Sequence, residues 1–192
     1  MTLQFHLASK SPRRQILLRQ MKLNFDVINP EIPEQPGTGE TPEQYALRIA
    51  ADKARAGQAM VRDALPVLGA DTDVVLDGRI LGKPRDRKDA IIMLLALSGR
   101  EHEVYSAGAM VQVERLETAL SVTRVRFGPI SAALAQNYWD TGEPDGKAGA
   151  YAIQGQGASF VREITGSYTG VVGLPLFETS VLLGKFGIRV IG

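Results

Sequence analysis

The chain has 192 residues, with 22 lysines and arginines against 21 aspartates and glutamates, so its formal net charge is +1. That length predicts one domain, spanning residues 1–192, and the balanced charge argues against nucleic-acid binding, which needs a concentrated basic surface. Cysteine is absent, which excludes disulfides, thiolate zinc sites and cysteine nucleophiles. No apolar run reaches the roughly 20 residues of a membrane span, and a secretory signal pattern is missing. We therefore expect a cytoplasmic protein without membrane contacts.

Strand-like and helix-like segments alternate in the first half of the chain. Ser11 followed by proline is typical of a helix N-cap, and Thr41 with Gln44 three residues later matches a capping box. The predicted strands here are Leu3 to Ala8, Phe25 to Ile28 and Pro66 to Ala70. The predicted helices start at Ser11, Thr41 and Asp86 and end near Gln20, Met60 and Gly99. Between them, Asp77-Gly78 predicts the turn of a hairpin that joins Val74–Leu76 to Arg79–Leu81.

Strands predominate in the second half. His102 to Val113 and Thr118 to Phe127 are expected to pair as antiparallel neighbours, the second with an apolar face and an arginine face. A helix begins at Ser131, and the remaining predicted elements are strands at Ala158 to Ile164 and Tyr168 to Val172 and a helix from Pro175 to Lys185. This order predicts an α/β fold in which helices flank a mixed twisted sheet and a cleft opens beside it.

Basic residues surround the start of the first predicted helix, where Ser9, Lys10, Arg13 and Arg14 lie within six positions. A helix N-terminus carries about half a positive charge and free backbone N–H groups, which disfavours nearby cations. An anion such as a phosphate between these side chains would explain the arrangement. A capped helix whose arginines extend into water explains this segment equally well.

Two further candidates are a lysine and an aspartate. On a helical wheel of roughly 100° per residue, Lys53 emerges from the middle of an apolar face, so its amine either reaches solvent past small alanines or enters a cleft. Asp71 follows a buried strand, and α/β folds place reactive groups at the ends of such strands. A carboxylate there can accept a proton from water or bind a divalent cation, although acidic residues at strand ends are often only turn caps.

The remaining candidates lie in loops. Glu31 and Glu34 belong to a segment rich in proline and glycine. Small residues surround Gln154 in the segment from Lys147 to Gly157, and its amide can both donate to and accept from a nucleobase edge. A glycine-rich turn without chemistry is the simpler interpretation of that segment.

Six segments, spread in order from Leu7 to about Leu183, resemble the Maf family of nucleoside triphosphate pyrophosphatases, which older usage calls septum-formation inhibitors. They are LASKSPRRQILL, EQYALRIAADKARAG, LGADTDVVLDGRILGKP, LSGREHEVYSA, KAGAYAIQGQGASFV and GLPLFET. The resemblance implies hydrolysis of a nucleoside triphosphate between the α and β phosphates, with a divalent cation such as Mg2+ or Mn2+. It also implies an elongated, two-lobed Maf/ITPase-like fold around a deep cleft, and a homodimer.

The resemblance also implies roles for individual residues. Asp71 matches the family's proton acceptor, and Glu34 matches an acidic residue near the metal, so that Glu34 and Asp71 would hold the cation. The residues expected around the triphosphate are Ser9, Arg13, Arg14, Lys53 and Lys83. The positions that separate subfamilies hold Arg13, Thr72 and Gln154, a combination similar to the branch that hydrolyses dTTP and UTP. The branch acting on 7-methyl-GTP typically has tryptophan, glutamine and glutamate at these positions.

This chain departs from the family pattern at two places. Asp73 stands where relatives usually carry an aliphatic residue, so it either adds a metal contact or faces solvent. Pro33 stands where an acidic residue is common, which leaves Glu31 and Glu34 as alternatives for the metal site.

Three functional hypotheses result. The first is a dTTP/UTP pyrophosphatase that keeps modified nucleotides out of nucleic acid and acts in cell-division arrest. The second is a nucleotide-binding regulator of septation without turnover, and the third is a pyrophosphatase for a modified purine such as 7-methyl-GTP. The first requires that the start of the first helix and the region of Asp71 converge on one triphosphate.

Overall fold

The computed structural model describes residues 2–191, which form a seven-stranded mixed sheet flanked by helices. The strands are β1 (Phe5–Ala8), β2 (Phe25–Ile28), β3 (Val67–Leu76), β4 (Arg79–Ile80), β5 (Glu101–Gln112), β6 (Arg115–Phe127) and β7 (Val161–Thr165). The helices are α1 (Pro12–Gln20), α2 (Pro42–Gln58), α3 (Arg87–Leu97), α4 (Ala132–Asp140), α5 (Tyr168–Val172) and α6 (Leu176–Lys185). Short 3-10 helices cover Ala148–Ala150 and Gln156–Phe160. The predicted α/β fold with a mixed sheet is confirmed.

The sheet changes from parallel to antiparallel pairing at β3. Its strand order is β2-β1-β3-β5-β6-β7, with β4 added to β3; β1 is parallel to β2 and β3, and the other pairs are antiparallel. The pairing of β1 with β3 ends at Ala8 and Gly69. Because β3 continues to Leu76, the part of its edge that follows Gly69 is no longer covered by β1. The prediction that Asp71 follows the end of a strand is wrong, because β3 runs without interruption from Val67 to Leu76 and pairs with β5 throughout this region.

The predicted helix starts are confirmed by their caps. The side chain of Ser11 accepts a hydrogen bond from the backbone N–H of Arg14, and Thr41 forms the full capping box with Gln44. The side chains of Asp86 and Ser131 accept in the same way from the third residue of α3 and α4, respectively. These caps satisfy N–H groups that have no partner inside the helix.

Helix α2 packs directly against the backbone of β3. A Cβ at Gly69 would overlap the carbonyl oxygen of Ala50 and lie 2.6 Å from the backbone nitrogen of Ala54, so only glycine permits this approach. The alanines of α2 at this contact are fully buried. Alternation along β3 puts Gly69, Asp71 and Asp73 on the face that α2 covers. The close packing therefore carries Lys53 to the carboxylates of β3.

Two predicted strands are wrong in whole or in part. The segment Tyr168 to Val172 forms helix α5, because the hydroxyl of Ser167 accepts from the N–H of Gly170 at 3.0 Å and starts a helical turn. The predicted strand from Ala158 to Ile164 begins only at Val161, since the preceding residues form a 3-10 helix. In α5, local hydrogen bonding overrides the strand propensity of the β-branched residues, whereas the β-branched residues of the second segment, Val161 and Ile164, do lie in strand β7.

Two apolar clusters cover the faces of the sheet. The larger one packs large side chains of α1, α3, α4 and α6 against the sheet, and the smaller one joins the alanines of α2 to β3 and β5. Among the residues described, none of the helices combines the length and the apolar character needed to cross a bilayer.

Candidate active site

A cleft of about 770 Å³ opens where β3 passes the end of β1. Every site residue predicted from the sequence lines it: Ser9, Arg13, Arg14, Glu34, Lys53, Asp71, Thr72, Lys83 and Gln154. The N-terminus of α1 and Asp71 therefore open onto the same space. Asp73 also lines the cleft, whereas Glu31 is not among the lining residues. Of the two acidic loop residues, Glu34 is the one that reaches this space.

A buried lysine joins two carboxylates at one side of the cleft. The Nζ atom of Lys53 lies 2.7 Å from Oδ1 of Asp71 and 2.8 Å from Oε1 of Glu34. The side chains of Lys53 and Asp71 are only 12% and 10% exposed, so the lysine enters the cleft and does not extend into solvent. Lys83 Nζ lies 3.5 Å from the other oxygen of Glu34. Burial raises the pKa of Glu34, but the two lysines outweigh it and the net pKa is below its ordinary value.

Asp73 lies beside Asp71 on the same face of β3. It is 7% exposed, and its Oδ2 atom has no hydrogen-bond partner among residues 2–191. The alternative that Asp73 merely faces solvent is thus wrong. Burial, and then the negative charge of Asp71, raise the pKa of Asp73 well above its ordinary value, so its carboxyl holds a proton more strongly than a free aspartate does.

Arg14 connects elements of the site instead of extending into the cleft. Its Nε donates to the carbonyl of Gly173 at 2.8 Å, its Nη1 to Oγ of Ser9 at 3.0 Å, and its Nη2 to Oγ1 of Thr72 at 3.2 Å. Thr72 in turn donates to the same carbonyl of Gly173 at 3.2 Å. The guanidinium therefore fixes Ser9 and Thr72 relative to the loop after α5. The sequence predicts Arg14 as a phosphate contact, and these hydrogen bonds show that its guanidinium also holds Ser9 and Thr72 in place.

Further cationic side chains that repel one another line the same cleft. Arg13 donates from Nε to the carbonyl of Val172 at 3.2 Å and is partly buried. Both Arg13 and Lys147 line the cleft; burial lowers the pKa of Lys147, and the positive charge of Arg13 lowers it further. Cations held near each other in a partly buried site are stabilised by an anion. Lys147 is not among the site residues that the sequence predicts, although its position at the start of the glycine-rich segment was the available signal.

The segment around Gln154 forms the other end of the cleft. Gln154 is exposed, and its side chain makes no hydrogen bond to the described residues, so its amide is free to contact a ligand. Below it, the hydroxyl of Tyr151 lies 2.9 Å from Nε2 of His102, and both rings pack edge-on against Phe127. Burial lowers the pKa of His102 to about 4, so the imidazole is neutral at pH 7. This end of the cleft rests on an uncharged aromatic cluster.

The carboxylates suit a divalent cation in their chemistry. Asp71, Asp73 and Glu34 present the oxygen donors that Mg2+ and Mn2+ prefer, and Asp73 Oδ2 is buried with unused acceptor capacity. Among residues 2–191, no group of three or more histidines, aspartates and glutamates is arranged so that it could hold a metal ion by itself. Mg2+ commonly takes one or two carboxylates and completes its shell with water and substrate phosphates. The residues fit a cation of that kind.

Comparison with known proteins points to one family. The family model described as Maf-like protein matches residues 4–186. A protein of Bordetella avium named dTTP/UTP pyrophosphatase is 51% identical over 195 residues, which cover 96% of each chain. Proteins of the same name from Saccharophagus degradans and Yersinia pestis are 52% and 51% identical; the first match covers 96% of this chain and 90% of that protein, the second 94% and 92%. Among solved structures, a nucleoside-triphosphatase / dITP/XTP pyrophosphatase of Mycobacterium abscessus has a TM-score of 0.42 and 21% identity, covering 67% of this chain and 76% of that one.

Proposed function

The chain belongs to the Maf family, and on that premise we propose that it is a nucleoside triphosphate pyrophosphatase that hydrolyses dTTP and UTP. The observation that carries this proposal is that the basic start of α1 and the Lys53–Asp71 pair line one cleft. That arrangement puts cations and a proton acceptor within reach of one phosphate chain. The relatives named dTTP/UTP pyrophosphatase support the choice of nucleotide.

In the proposed reaction, water attacks the α-phosphorus in line with the bond to the bridging oxygen of the β phosphate. Asp71 accepts the proton of that water as the new P–O bond forms. The bond between the α-phosphorus and the bridging oxygen breaks, and pyrophosphate leaves. The hydrogen bond of 2.7 Å from Lys53 orients the carboxylate for this transfer.

The cationic side chains stabilise the charge that develops on the departing pyrophosphate. Lys53, Lys83 and Arg13 line the cleft, and Lys147 adds a fourth positive charge beside Arg13. Preorganised charges of this kind usually make the largest single contribution to the rate. Ser9, fixed by its hydrogen bond from Arg14, adds a hydroxyl donor for a phosphate oxygen.

We assign the binding of Mg2+ or Mn2+ to Asp71 and Glu34, with Asp73 next to them. When bound, such a cation polarises the phosphoryl group and offsets the charge of the phosphate chain. Lys53 lies between Asp71 and Glu34, so it also keeps these two carboxylates close together without the cation.

Base selection is assigned to the opposite end of the cleft. Gln154 offers one donor and one acceptor, which matches the adjacent N–H and carbonyl of a thymine or uracil edge. Arg13 and Thr72 stand at the other two positions that we associate with specificity. In the cell, this activity would remove modified pyrimidine nucleotides before incorporation and contribute to cell-division arrest. A homodimer, one two-lobed domain and a cytoplasmic location are part of the same proposal.

The product identifies the reaction. The purified protein is incubated with dTTP or UTP and Mg2+ or Mn2+, and we expect nucleoside monophosphate and pyrophosphate in equal amounts. Orthophosphate as the first product would indicate a phosphatase. Tight binding without any product would favour the regulator of septation. A panel that includes dCTP, dGTP and 7-methyl-GTP tests the base, and a preference for the methylated purine would contradict the proposed specificity.

A further inference from the structure

A single carboxylate lies behind the loop that presents Gln154. Glu143 follows α4, and its Oε1 accepts hydrogen bonds from the hydroxyl of Tyr138 at 2.6 Å and from the N–H of Gly157 at 2.9 Å. Its Oε2 accepts from the N–H of Gln156 at 2.8 Å. None of these contacts involves a phosphate-binding residue, and Glu143 does not line the cleft. The carboxylate therefore holds the loop from its outer side.

The hydroxyl of Tyr138 extends this hold to the other side of Gln154. It accepts a hydrogen bond from the N–H of Ala152 at 3.1 Å while it donates to Glu143. The carboxylate and the hydroxyl together bind backbone N–H groups both before and after Gln154. Only residues 153–155 lie between the two anchored segments.

The glycines of this loop are explained by the same contact. A Cβ at Gly155 would overlap the carboxylate of Glu143, and a Cβ at Gly157 would lie 2.5 Å from the hydroxyl of Tyr138 and 2.7 Å from the carbonyl of Ala152. Both positions thus need glycine so that the backbone can approach these two side chains. Burial raises the pKa of Glu143, but the hydrogen bonds from Tyr138 and the two backbone N–H groups outweigh it and lower the pKa overall.

We propose that Glu143 is a positioning residue for base recognition, which acts by holding the loop that directs the Gln154 amide at the nucleobase. This inference rests on the proposed function only for the role of Gln154. A loop held in its binding conformation loses less conformational freedom when the ligand binds, so the base is bound more tightly and more selectively. The phosphate half of the cleft makes no use of this contact.

The test is the substitution Glu143→Gln, which keeps the shape but replaces one acceptor oxygen with an NH2 group that faces a donor. Losing a hydrogen bond to a charged acceptor predicts that KM for dTTP and UTP rises about 10-fold while kcat stays within about twofold. The preference for dTTP over dCTP should shrink by a similar factor. Inhibition by inorganic tripolyphosphate, which carries no base, should be unchanged. Glu163→Gln, at an exposed glutamate of β7, is the matched control and should change none of these values.

Tyr138→Phe is the second variant, and it decides the question if Glu143→Gln does not fold. It leaves the carboxylate in place but removes both the hydrogen bond that the hydroxyl accepts from Ala152 and the one that it donates to Glu143, so KM for dTTP should rise about 10-fold, in line with the loss of a hydrogen bond to a charged acceptor. Unchanged KM and base preference in both folded variants would overturn the proposal. Equal weakening of dTTP and tripolyphosphate would also overturn it, because it would show a general structural role.

Equilibrium binding separates this proposal from the proposed function. If the wild-type protein binds dTTP but hydrolyses neither nucleotide, the pyrophosphatase assignment fails. The positioning role is then supported if Glu143→Gln weakens the Kd of dTTP and leaves that of tripolyphosphate unchanged, and contradicted if both stay the same. If the wild-type protein binds tripolyphosphate but not dTTP, the positioning role fails by itself.

Discussion

The two ends of the cleft are built in different ways. The phosphate half (Ser9, Arg13, Lys53, Asp71 and Lys83) consists of one serine and four charged side chains on or next to α1, α2, β3 and β4, which are held by hydrogen bonds or ion pairs. The base half (residues 151–157) is a loop without a buried charge pair of its own, held through backbone N–H groups by Glu143 and Tyr138. The first is built from side chains on or beside the sheet, whereas the second is a loop that Glu143 and Tyr138 hold and that reaches the sheet through the contacts of Tyr151 with His102 and Phe127.

Because of this difference, we expect the phosphate half to determine mainly the reaction rate and the base half to determine mainly the selectivity for the nucleotide. Charge development in phosphoryl transfer is stabilised best by groups that do not have to move, which regular elements provide. Recognition of a base edge needs a few polar atoms that can differ among relatives, which a loop provides. Substitutions in the phosphate half should therefore reduce kcat, and those in the base half should change KM, specificity or local stability.

The largest effect is expected for Asp71→Asn, which keeps the shape of the side chain but removes its ability to accept a proton. We expect kcat for dTTP to fall about 1,000-fold, within the range for loss of a general base. Binding of dTTP, measured by calorimetry, should remain within about 10-fold of the wild type, because the other phosphate contacts persist. Asp26→Asn, at an exposed position of β2, is the control. Turnover that survives in Asp71→Asn would remove this residue from its assigned role.

A second prediction concerns His102, which belongs to the aromatic cluster with Tyr151 and Phe127. His102 is 2% exposed and burial lowers its pKa to about 4, so the unfolded chain binds a proton at this residue more readily than the folded one does. Its contribution to stability is complete above pH 6.5 and is lost as the pH falls from 6.5 to about 4. Protonation of His102 lowers the free energy of unfolding by at most about 3 kcal/mol over this pH range.

Denaturant unfolding of the wild type and of His102→Gln across that range measures this contribution. The difference in the free energy of unfolding between the two proteins should decrease steadily as the pH falls. If the free energy of unfolding depends on pH in the same way in both proteins, protonation of His102 does not contribute to the pH dependence of stability.

The third prediction tests the contact that joins α2 to β3. Lys53→Met keeps a long side chain but removes the charge between Asp71 and Glu34, so kcat should fall about 100-fold, as for loss of one preorganised charge in a transition state. Steady-state kinetics at several Mg2+ concentrations measures the effect. A loss that excess Mg2+ fully restores would instead assign Lys53 to holding the carboxylates for the cation.

The smallest effect on catalysis is expected for Gln154→Glu. A carboxylate only accepts hydrogen bonds, so it no longer matches the mixed donor and acceptor edge of thymine. We expect kcat/KM for dTTP to fall about 10-fold, with kcat nearly unchanged, and the relative activity on guanine nucleotides to rise. Competition assays with paired nucleotides measure this ratio. An unchanged ratio would show that Gln154 does not contact the base.

Local signals along the chain were sufficient for much of this architecture. The caps at Ser11, Thr41 and Asp86 start helices where the pattern placed them, because a cap depends on residues three positions apart. The wheel position of Lys53 correctly predicted that it emerges from the apolar face of α2, but helical spacing defines only the face and left open whether the amine reaches solvent or enters the cleft. Helix α5 was missed because its start depends on one serine hydroxyl, a signal weaker than the valines that follow it.

The amino-acid sequence by itself determined the kinds of residue available for phosphate chemistry, the positions of most helices and the resemblance to a family. Only the tertiary structure decided which of these residues meet. The register between β1 and β3 leaves Asp71 beside an open edge, and Gly69 allows α2 to carry Lys53 to it. Arg14 and Glu143 likewise form hydrogen bonds with groups that lie far from them along the chain. Such contacts have no periodicity or spacing along the chain, because they arise only when separate elements pack together.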